Sequence, residues 1–345
     1  MLLLEREREL ARVSELVEAA GAGEFRLAVV EGPAGAGKSA ILGALAADAE
    51  EQGLRVLRAT GLELEREYPF GVVRQLFEPA VYELDETARS DVFAGAAGLA
   101  ERLLLGRGLE SGPGLSDPGF ALSHSLYWAV VGLSDLGPLA LVVDDVQWAD
   151  VVSLRFLAFA LKRAEGLPLL VALARRDGPA GEQSDALAAV MSGPAAVIRP
   201  TPLSSAAIGL LLAEAIGEDL DEDTVAEAER PTEGNPLYVR ELTDALSSAT
   251  DMPEDDPAEI LRGAAPAAAV RRRVQTTLGR LAGAARAIAT AAAILGDEVA
   301  LQRTAALADV EREAEQPQVP RLDVAVEAPW IAQRRTHSTG PGWRV

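Results

Sequence analysis

One short glycine-rich segment limits the folds open to this chain more than any other feature. An apolar run from Leu27 to Val30 leads directly into it, and an alanine-rich stretch from Lys38 to Glu50 follows it. The run has the length of a buried strand, and the stretch has the composition of a helix that ends near Gly53. The segment between them consists of Gly32, Pro33, Ala34, Gly35, Ala36, Gly37, Lys38 and Ser39.

These eight residues have the spacing of a phosphate-binding loop, in the strand and helix context that such a loop requires. Its glycines let backbone amides approach phosphates closely, and the following helix adds the positive end of its dipole. In such a loop Lys38 reaches the β- and γ-phosphates, and the Ser39 hydroxyl completes the Mg²⁺ shell. We therefore predict that residues 32–39 bind ATP with Mg²⁺. The alternative is a glycine-rich turn without a ligand. The chain has only two lysines, Lys38 and Lys162, and one of them occupies the lysine position of the pattern, so a chance match is disfavoured.

An acidic pair supplies the second element expected of a nucleotide site. Asp144 and Asp145 follow the apolar run Leu139 to Val143, which has the length of a buried strand. We predict that Asp144 contacts the metal and that Asp145 orients or deprotonates the attacking water, because phosphoryl transfer asks mainly for positioning and charge stabilisation. The alternative for this pair is a simple helix cap.

Two arginines, Arg175 and Arg176, follow the next apolar run, Leu167 to Leu173. They lie where the carboxyl ends of parallel strands hold ligands in open α/β sheets. Either arginine could contact the γ-phosphate, or both could pair with surface acids in this very acidic chain. The residues alone leave these alternatives open.

The order of the segments predicts an α/β fold in which a parallel sheet is flanked by helices. Strand and helix patterns alternate from residue 1 to residue 200, and Pro200 and Pro202 mark a boundary. Residues 201–250 read as helical, 251–265 as a polar linker, 266–310 as a further helical segment, and 311–345 as an irregular or disordered tail. A run of three arginines, Arg271 to Arg273, is interpreted as a solvated helix face.

Composition excludes several classes of site. There is no cysteine, so thiolate nucleophiles and disulfides are absent, and the only histidines are His124 and His337. We interpret His124 as a packing residue of a helix. The net charge of -21 disfavours sequence-independent binding to nucleic acid. No signal peptide and no membrane-spanning apolar stretch are recognisable, so we expect a cytoplasmic protein without membrane contact.

With these residues in view, the chain resembles the ATPase region of large LuxR-type transcriptional regulators, a branch of the STAND group of P-loop NTPases related to AAA+ proteins. The resemblance extends roughly from Leu4 to Ala308. Besides the phosphate loop, its marks are the segments Leu4 to Leu10, Glu63 to Glu65, Pro69 to Phe77, Asp144 to Asp150 and Gly234 to Pro236.

The resemblance implies roles that the residues alone do not supply. It implies that Arg6 lies near the nucleotide base with Glu7, that Arg175 is the sensor at the end of its strand, and that Pro236 sits in a helical lid over the adenine. Residues 201–250 would then be the lid, and residues 266–310 part of a winged-helix segment.

The function implied by the resemblance is a switch. A slow Mg-dependent ATPase would rest in its ADP form, and ATP with an unknown inducer would favour an open form that self-associates. Such regulators continue into a helical-repeat region and a DNA-binding helix-turn-helix. We recognise neither here, so we expect a C-terminally truncated relative without direct DNA binding. The alternatives are a non-hydrolysing interaction scaffold stabilised by nucleotide and, with less support, a small-molecule P-loop kinase.

Overall fold

The computed structural model describes residues 3–107, 118–177, 185–216 and 220–249. Its contacts divide the chain into two units, Met1–Ala265 and Pro266–Val345. All described residues belong to the first unit. The predicted linker 251–265, the helical segment 266–310 with its three arginines, His337 and the tail 311–345 lie outside the described residues.

Five parallel strands form one sheet in the order β2-β3-β4-β1-β5. Each strand pairs in parallel with its neighbours, and β1 lies between β4 and β5. The strand bounds are β1 Arg26–Gly32, β2 Arg55–Thr60, β3 Leu139–Asp144, β4 Leu169–Arg176 and β5 Ala196–Ile198. Because all the pairs are parallel, the carboxyl ends of the five strands lie at the same edge of the sheet.

Helices cover the sheet and continue beyond it. The first eight are α1 Glu7–Gly21, α2 Lys38–Glu51, α3 Gly71–Glu83, α4 Glu86–Val92, α5 Gly98–Leu104, α6 Pro118–Asp135, α7 Val151–Leu161 and α8 Asp185–Met191. After β5 come α9 Ser205–Ile216, α10 Glu222–Thr232 and α11 Pro236–Ala249. Short 3₁₀ turns occur at Glu63–Glu65, Gly95–Ala97 and Val146–Trp148.

The two faces of the sheet bury separate cores, because successive side chains of a strand point to opposite faces. On one face, odd-numbered residues of β1 and β4, such as Val29 and Leu173, pack with α3, α6 and α7. On the other face, even-numbered residues such as Val30 and Ala172 pack with α1 and α2. Alternation along β4 therefore decides which face each of its last two residues reaches.

Helices α9, α10 and α11 enclose a small core of their own, which we call the three-helix unit. Its buried residues include Leu203, Ile208, Val239 and Leu242, and Leu4 from the amino-terminal turn packs against them. Asp221 caps α10 by accepting a hydrogen bond from the Thr224 N–H at 2.8 Å. The domain boundary predicted near residue 200 stays a prediction.

The predicted α/β fold class, a parallel sheet flanked by helices, is confirmed. The strands predicted from the three apolar runs are β1, β3 and β4, and the helix predicted after the phosphate loop is α2. His124 lies in α6, where its ring stacks on Phe120 and accepts a hydrogen bond from Trp128 Nε1 at 3.1 Å.

Candidate functional site

The phosphate loop joins the end of β1 to the start of α2. Gly35 and Gly37 have φ angles of 80° and 92°, in the left-handed region that favours glycine. A Cβ added at Gly37 would meet nothing within 4 Å, so the loop leaves open space at this point. The loop therefore has the left-handed glycine conformations that a phosphate loop uses, with open space beside Gly37.

The Lys38 ammonium folds back over the loop. It donates hydrogen bonds to the carbonyl oxygens of Gly32 at 3.0 Å and Pro33 at 2.7 Å, and the residue is only 6% exposed. Burial lowers the pKa of Lys38 below its ordinary value of 10.5, whereas the charge of Asp145 acts in the opposite direction. Ser39 follows in the first turn of α2 and is exposed.

The acidic pair lies beside this lysine. Asp144 ends β3 on the face that packs against α2, because Ala140 and Val142 of the same strand belong to that core. Its Oδ1 accepts a hydrogen bond from the Asp145 N–H at 2.8 Å. Asp145 has a φ angle of 46°, a left-handed conformation that turns the chain sharply after the strand.

Gln147 and Arg176 both contact the Asp145 carboxylate. Gln147 Nε2 donates to Asp145 Oδ1 at 2.7 Å, and Gln147 Oε1 accepts from the Arg176 N–H at 3.3 Å. Arg176 Nε lies 3.7 Å from the same Oδ1. The structure therefore brings Arg176 against the predicted water-orienting carboxylate. Gln147 has no role predicted from the sequence.

Arg175 lies on the other face of the sheet. Its guanidinium forms an ion pair with Glu31, the register partner of Arg175 on β1, and Arg199 Nη2 bonds the second oxygen of Glu31 at 2.8 Å. Burial raises the pKa of Glu31, but Arg175 and Arg199 outweigh it and hold that pKa below its ordinary value of 4.5. The sensor role that the resemblance implied for Arg175 stays a prediction. Its Nη2 pairs with Glu31, whereas its Nε is buried without a hydrogen-bond partner among the described residues.

Arg6 is buried at the amino-terminal end of α1, and its Nη1 donates to the carbonyl oxygen of Glu5 at 2.9 Å. Glu5 accepts a hydrogen bond from the Ser204 N–H at 2.8 Å, and Glu9 accepts one from the Thr201 N–H at 3.2 Å. Arg6 therefore lies beside the segment that connects β5 to α9. Its role near the base stays a prediction.

Pro236 is the first residue of α11, a position that suits proline because no N–H is needed there. The residues on either side of it contact the phosphate loop. Asn235 Nδ2 donates to the carbonyl oxygen of Ala34 at 2.9 Å, and the Leu237 N–H donates to the carbonyl oxygen of Gly35 at 3.3 Å. The three-helix unit thus touches the loop at the start of α11.

Asp150 is a further buried carboxylate, and it has no role predicted from the sequence. Asp150 caps α7 through the Ser153 N–H at 2.9 Å and accepts a second hydrogen bond from the Phe70 N–H at 3.0 Å. It thereby joins the starts of α3 and α7. The signal for this capping role was available, since an aspartate directly before a helical run is typical of a helix cap.

The donor set fits a magnesium nucleotide. A serine hydroxyl and carboxylate oxygens are the hard ligands that Mg²⁺ prefers, and the loop amides with one ammonium group suit a polyphosphate. In the structure the candidate residues Lys38, Asp144 and Asp145 come together at one sheet edge.

Comparison with family models adds an independent observation. Residues 2–172 are matched by the model of an AAA ATPase domain. The amino-terminal half of this chain resembles the AAA ATPase domain. The matched stretch includes Lys38, Asp144 and Asp145, whereas Arg176 and Asn235 lie beyond the matched AAA ATPase residues.

Several solved structures are similar to the chain at low sequence identity. The Aeropyrum pernix ORC1 protein, solved in complex with DNA, is 17% identical, with 89% of this chain and 82% of that chain covered and a TM-score of 0.47. The ADP form of the A. pernix ORC2 protein is 13% identical, with 77% and 69% covered and a TM-score of 0.48. The Thermotoga maritima RuvB Holliday junction branch migration motor is 14% identical, with 99% and 91% covered and a TM-score of 0.43.

No curated protein matches the chain. Within the part of the chain that the structure describes, every helix is too short or too polar to span a bilayer.

Proposed function

We propose that the chain is an ATP-binding signal-transduction module of a LuxR-type transcriptional regulator, which acts in the cytoplasm as a slow ATP/ADP switch. The observation that carries the proposal is that β3 delivers the acidic pair to the same face of the sheet as the phosphate loop and Lys38. The AAA ATPase match and the marks of resemblance in the sequence support it. Self-association in the ATP form and response to an inducer belong to the same proposal.

Each site residue has a task in this proposal. The amides of residues 32–39 and the Lys38 ammonium would bind the phosphates, and Ser39 and Asp144 would hold Mg²⁺. The bound metal supplies charge neutralisation at the phosphate oxygens. Asp145 would orient the attacking water through Oδ2, because Gln147 and Arg176 both contact its Oδ1.

The first test is the loss of the loop lysine. We expect Lys38→Ala to weaken ATP binding about ten- to hundred-fold, because it removes charge-assisted hydrogen bonds of about 1.5 to 3 kcal/mol. Isothermal titration calorimetry with Mg-ATP measures the change. Lys162→Ala is the matched control, since it removes the only other lysine, an exposed residue at the end of α7, and should leave affinity unchanged. Equal affinity in Lys38→Ala and wild type would contradict the proposal.

The non-hydrolysing scaffold differs from the switch in one measurable respect. Asp145→Asn keeps the shape of the side chain and the oxygen that Gln147 contacts, but removes the charge that would orient and deprotonate water. A phosphate-release assay should show a large loss of rate in this variant if the module hydrolyses ATP. Equal rates in both proteins would favour the scaffold.

A further inference from the structure

The rim of the phosphate loop is held from outside by the three-helix unit. Ala34 and Gly35 lie at the tip of the loop, and their carbonyl oxygens accept hydrogen bonds from Asn235 Nδ2 and from the Leu237 N–H. The two residues of each pair are about two hundred positions apart in the chain, with a separation of 201 for Asn235 and Ala34. The contact therefore exists only because the three-helix unit folds back onto the sheet edge.

The Asn235 contact bears on the direction of one loop amide, the Gly35 N–H. The C=O and N–H of a planar trans peptide point in opposite directions, and all described peptide bonds are trans. Because the Ala34 carbonyl points at Asn235, the Gly35 N–H points away from the three-helix unit. Amides at the tip of a phosphate loop must point inward to bind an anion.

The corner that carries Asn235 is anchored on its other sides. Glu233 and Gly234 are both left-handed, with φ angles of 49° and 68°. The Leu203 N–H donates to the Gly234 carbonyl at 2.8 Å, and a Cβ added at Gly234 would lie 2.4 Å from the Leu203 carbonyl oxygen. Asn235 Oδ1 accepts from the Leu237 N–H at 3.1 Å, which leaves Nδ2 as the group directed at the loop.

The fit between the loop and α11 is close. A Cβ added at Gly35 would lie 2.6 Å from Asn235 Oδ1 and 2.7 Å from Leu237 Cβ, whereas a Cβ at Gly37 would meet nothing within 4 Å. Both positions favour glycine because of their positive φ angles. Gly35 also has to be glycine because α11 approaches it closely, which is not the case at Gly37.

We propose that Asn235 is a positioning residue that holds the Ala34–Gly35 peptide with its N–H directed at the phosphates, and so couples the placement of the three-helix unit to phosphate binding. The proposal rests on the proposed function, because the coupling acts on the nucleotide that the loop binds. Linkage requires the coupling to be reciprocal: a phosphate that orders the loop must favour the docked position of α11 to the same extent. Asn235 acts at the phosphate end of the nucleotide, which distinguishes it from a contact to the base.

Two substitutions at this position separate the hydrogen bond from charge and from helix capping. Asn235→Asp keeps an oxygen for the Leu237 N–H and replaces only the donor, but it adds a negative charge near the phosphates. Asn235→Ala removes both the donor and the capping oxygen without adding charge, so a loss shared by the two variants is assigned to the donor. Arg240→Ala is the matched control on the same helix, because Arg240 is exposed and pairs only loosely with Asp244 at 3.9 Å.

The affinity measurement uses Mg-ATP and inorganic tripolyphosphate with magnesium as probes. We expect Asn235→Ala to weaken both about five- to tenfold, as the loss of one positioning hydrogen bond predicts, and Asn235→Asp to weaken both further. Tripolyphosphate has no base, so an equal loss for both probes places the effect at the phosphates. Loss in Asn235→Asp alone would show a charge effect and would overturn the proposal, as would an equal loss in Arg240→Ala.

Hydrogen exchange in nucleotide-free protein gives a readout that does not depend on binding. We expect faster exchange in the peptide that covers residues 32–37 of Asn235→Ala, with α2 and β4 unchanged. Unchanged exchange in that peptide would overturn the proposal. If Asn235→Ala does not fold, as its melting curve would show, Gly35→Ala compared with Gly37→Ala tests the same contact: only the former should also speed exchange at the start of α11.

Failure of this inference and failure of the proposed function give different results. If wild type binds ATP and Lys38→Ala does not, but Asn235→Ala binds like wild type, only the role of Asn235 is wrong. If wild type and Lys38→Ala bind equally, the proposed function itself is wrong. In that case loop exchange in Asn235→Ala still decides whether the contact positions the loop.

Discussion

Two charged clusters lie at the carboxyl ends of β1 and β4, one residue apart in register and on opposite faces of the sheet. On one face Glu31 pairs with Arg175 and Arg199. On the other face, beside the phosphate loop, Arg176 contacts Asp145 near Lys38. Both clusters contain arginine and carboxylate, yet their surroundings differ.

The first cluster is closed. Both Glu31 oxygens have arginine partners, and Glu31 is only 8% exposed. In the second cluster the loop leaves open space at Gly37, and the Lys38 ammonium bonds only backbone carbonyl oxygens among the contacts that the structure describes. We expect the closed cluster to contribute to the stability of the fold, whereas the second has groups that can exchange their partners for a ligand. Adjacent arginines on one strand can therefore serve stability and function separately.

The largest expected difference between the two clusters is in the free energy of unfolding. We expect Arg175→Ala to lower the free energy of unfolding by about 2 to 3 kcal/mol, because it leaves a buried carboxylate with one exposed partner. Arg176→Ala should cost less than about 1 kcal/mol, because that arginine is half exposed and lies 3.7 Å from Asp145. Denaturant titration at pH 7 measures both. A larger loss in the free energy of unfolding for Arg176→Ala than for Arg175→Ala would contradict this contrast.

Activity should rank the two arginines in the reverse order. We expect Arg176→Ala to slow ATP hydrolysis about tenfold, near 1.4 kcal/mol of barrier, because Asp145 loses one of the two groups that orient it. Arg175→Ala, assayed at a temperature where it is fully folded, should change the rate less than about twofold. Phosphate release at saturating ATP is the measurement. If Arg175→Ala proves the slower enzyme, the sensor role implied by the resemblance is favoured instead.

Much of the second cluster was predictable because its residues are local in the chain. The phosphate loop is one continuous segment between a strand and a helix. Asp144 ends a strand of apolar residues and Asp145 follows it directly. Motif spacing and apolar runs report such arrangements directly. The α/β class followed from the same runs.

The first cluster was not predictable in the same way. Glu31, Arg175 and Arg199 come from three strands or their ends, and only the pairing of β1 with β4 places Arg175 opposite Glu31. The run from Leu169 to Ala174 is apolar at every position, so it conceals which face each following arginine reaches. The contact between Asn235 and Ala34 depends likewise on the return of the chain after β5.

The smallest expected effect concerns Arg199, whose side chain is 68% exposed. We expect Arg199→Ala to lower the free energy of unfolding by about 0.5 kcal/mol at pH 7, as is usual for exposed ion pairs.

The same substitution should change the pH dependence of stability. Arg175 and Arg199 together hold the Glu31 pKa below 4.5 against the effect of burial. The stability that Glu31 contributes is therefore complete above pH 4.5 and is lost as the pH falls through the lowered pKa. Removing Arg199 brings that pKa closer to 4.5, so acid unfolding should begin at a higher pH than in wild type. Circular dichroism during acid titration measures the midpoint, with Arg240→Ala as the exposed arginine control. A midpoint equal to that of wild type would show that Arg175 alone sets the ionisation of Glu31, and the closed cluster would then be a pair.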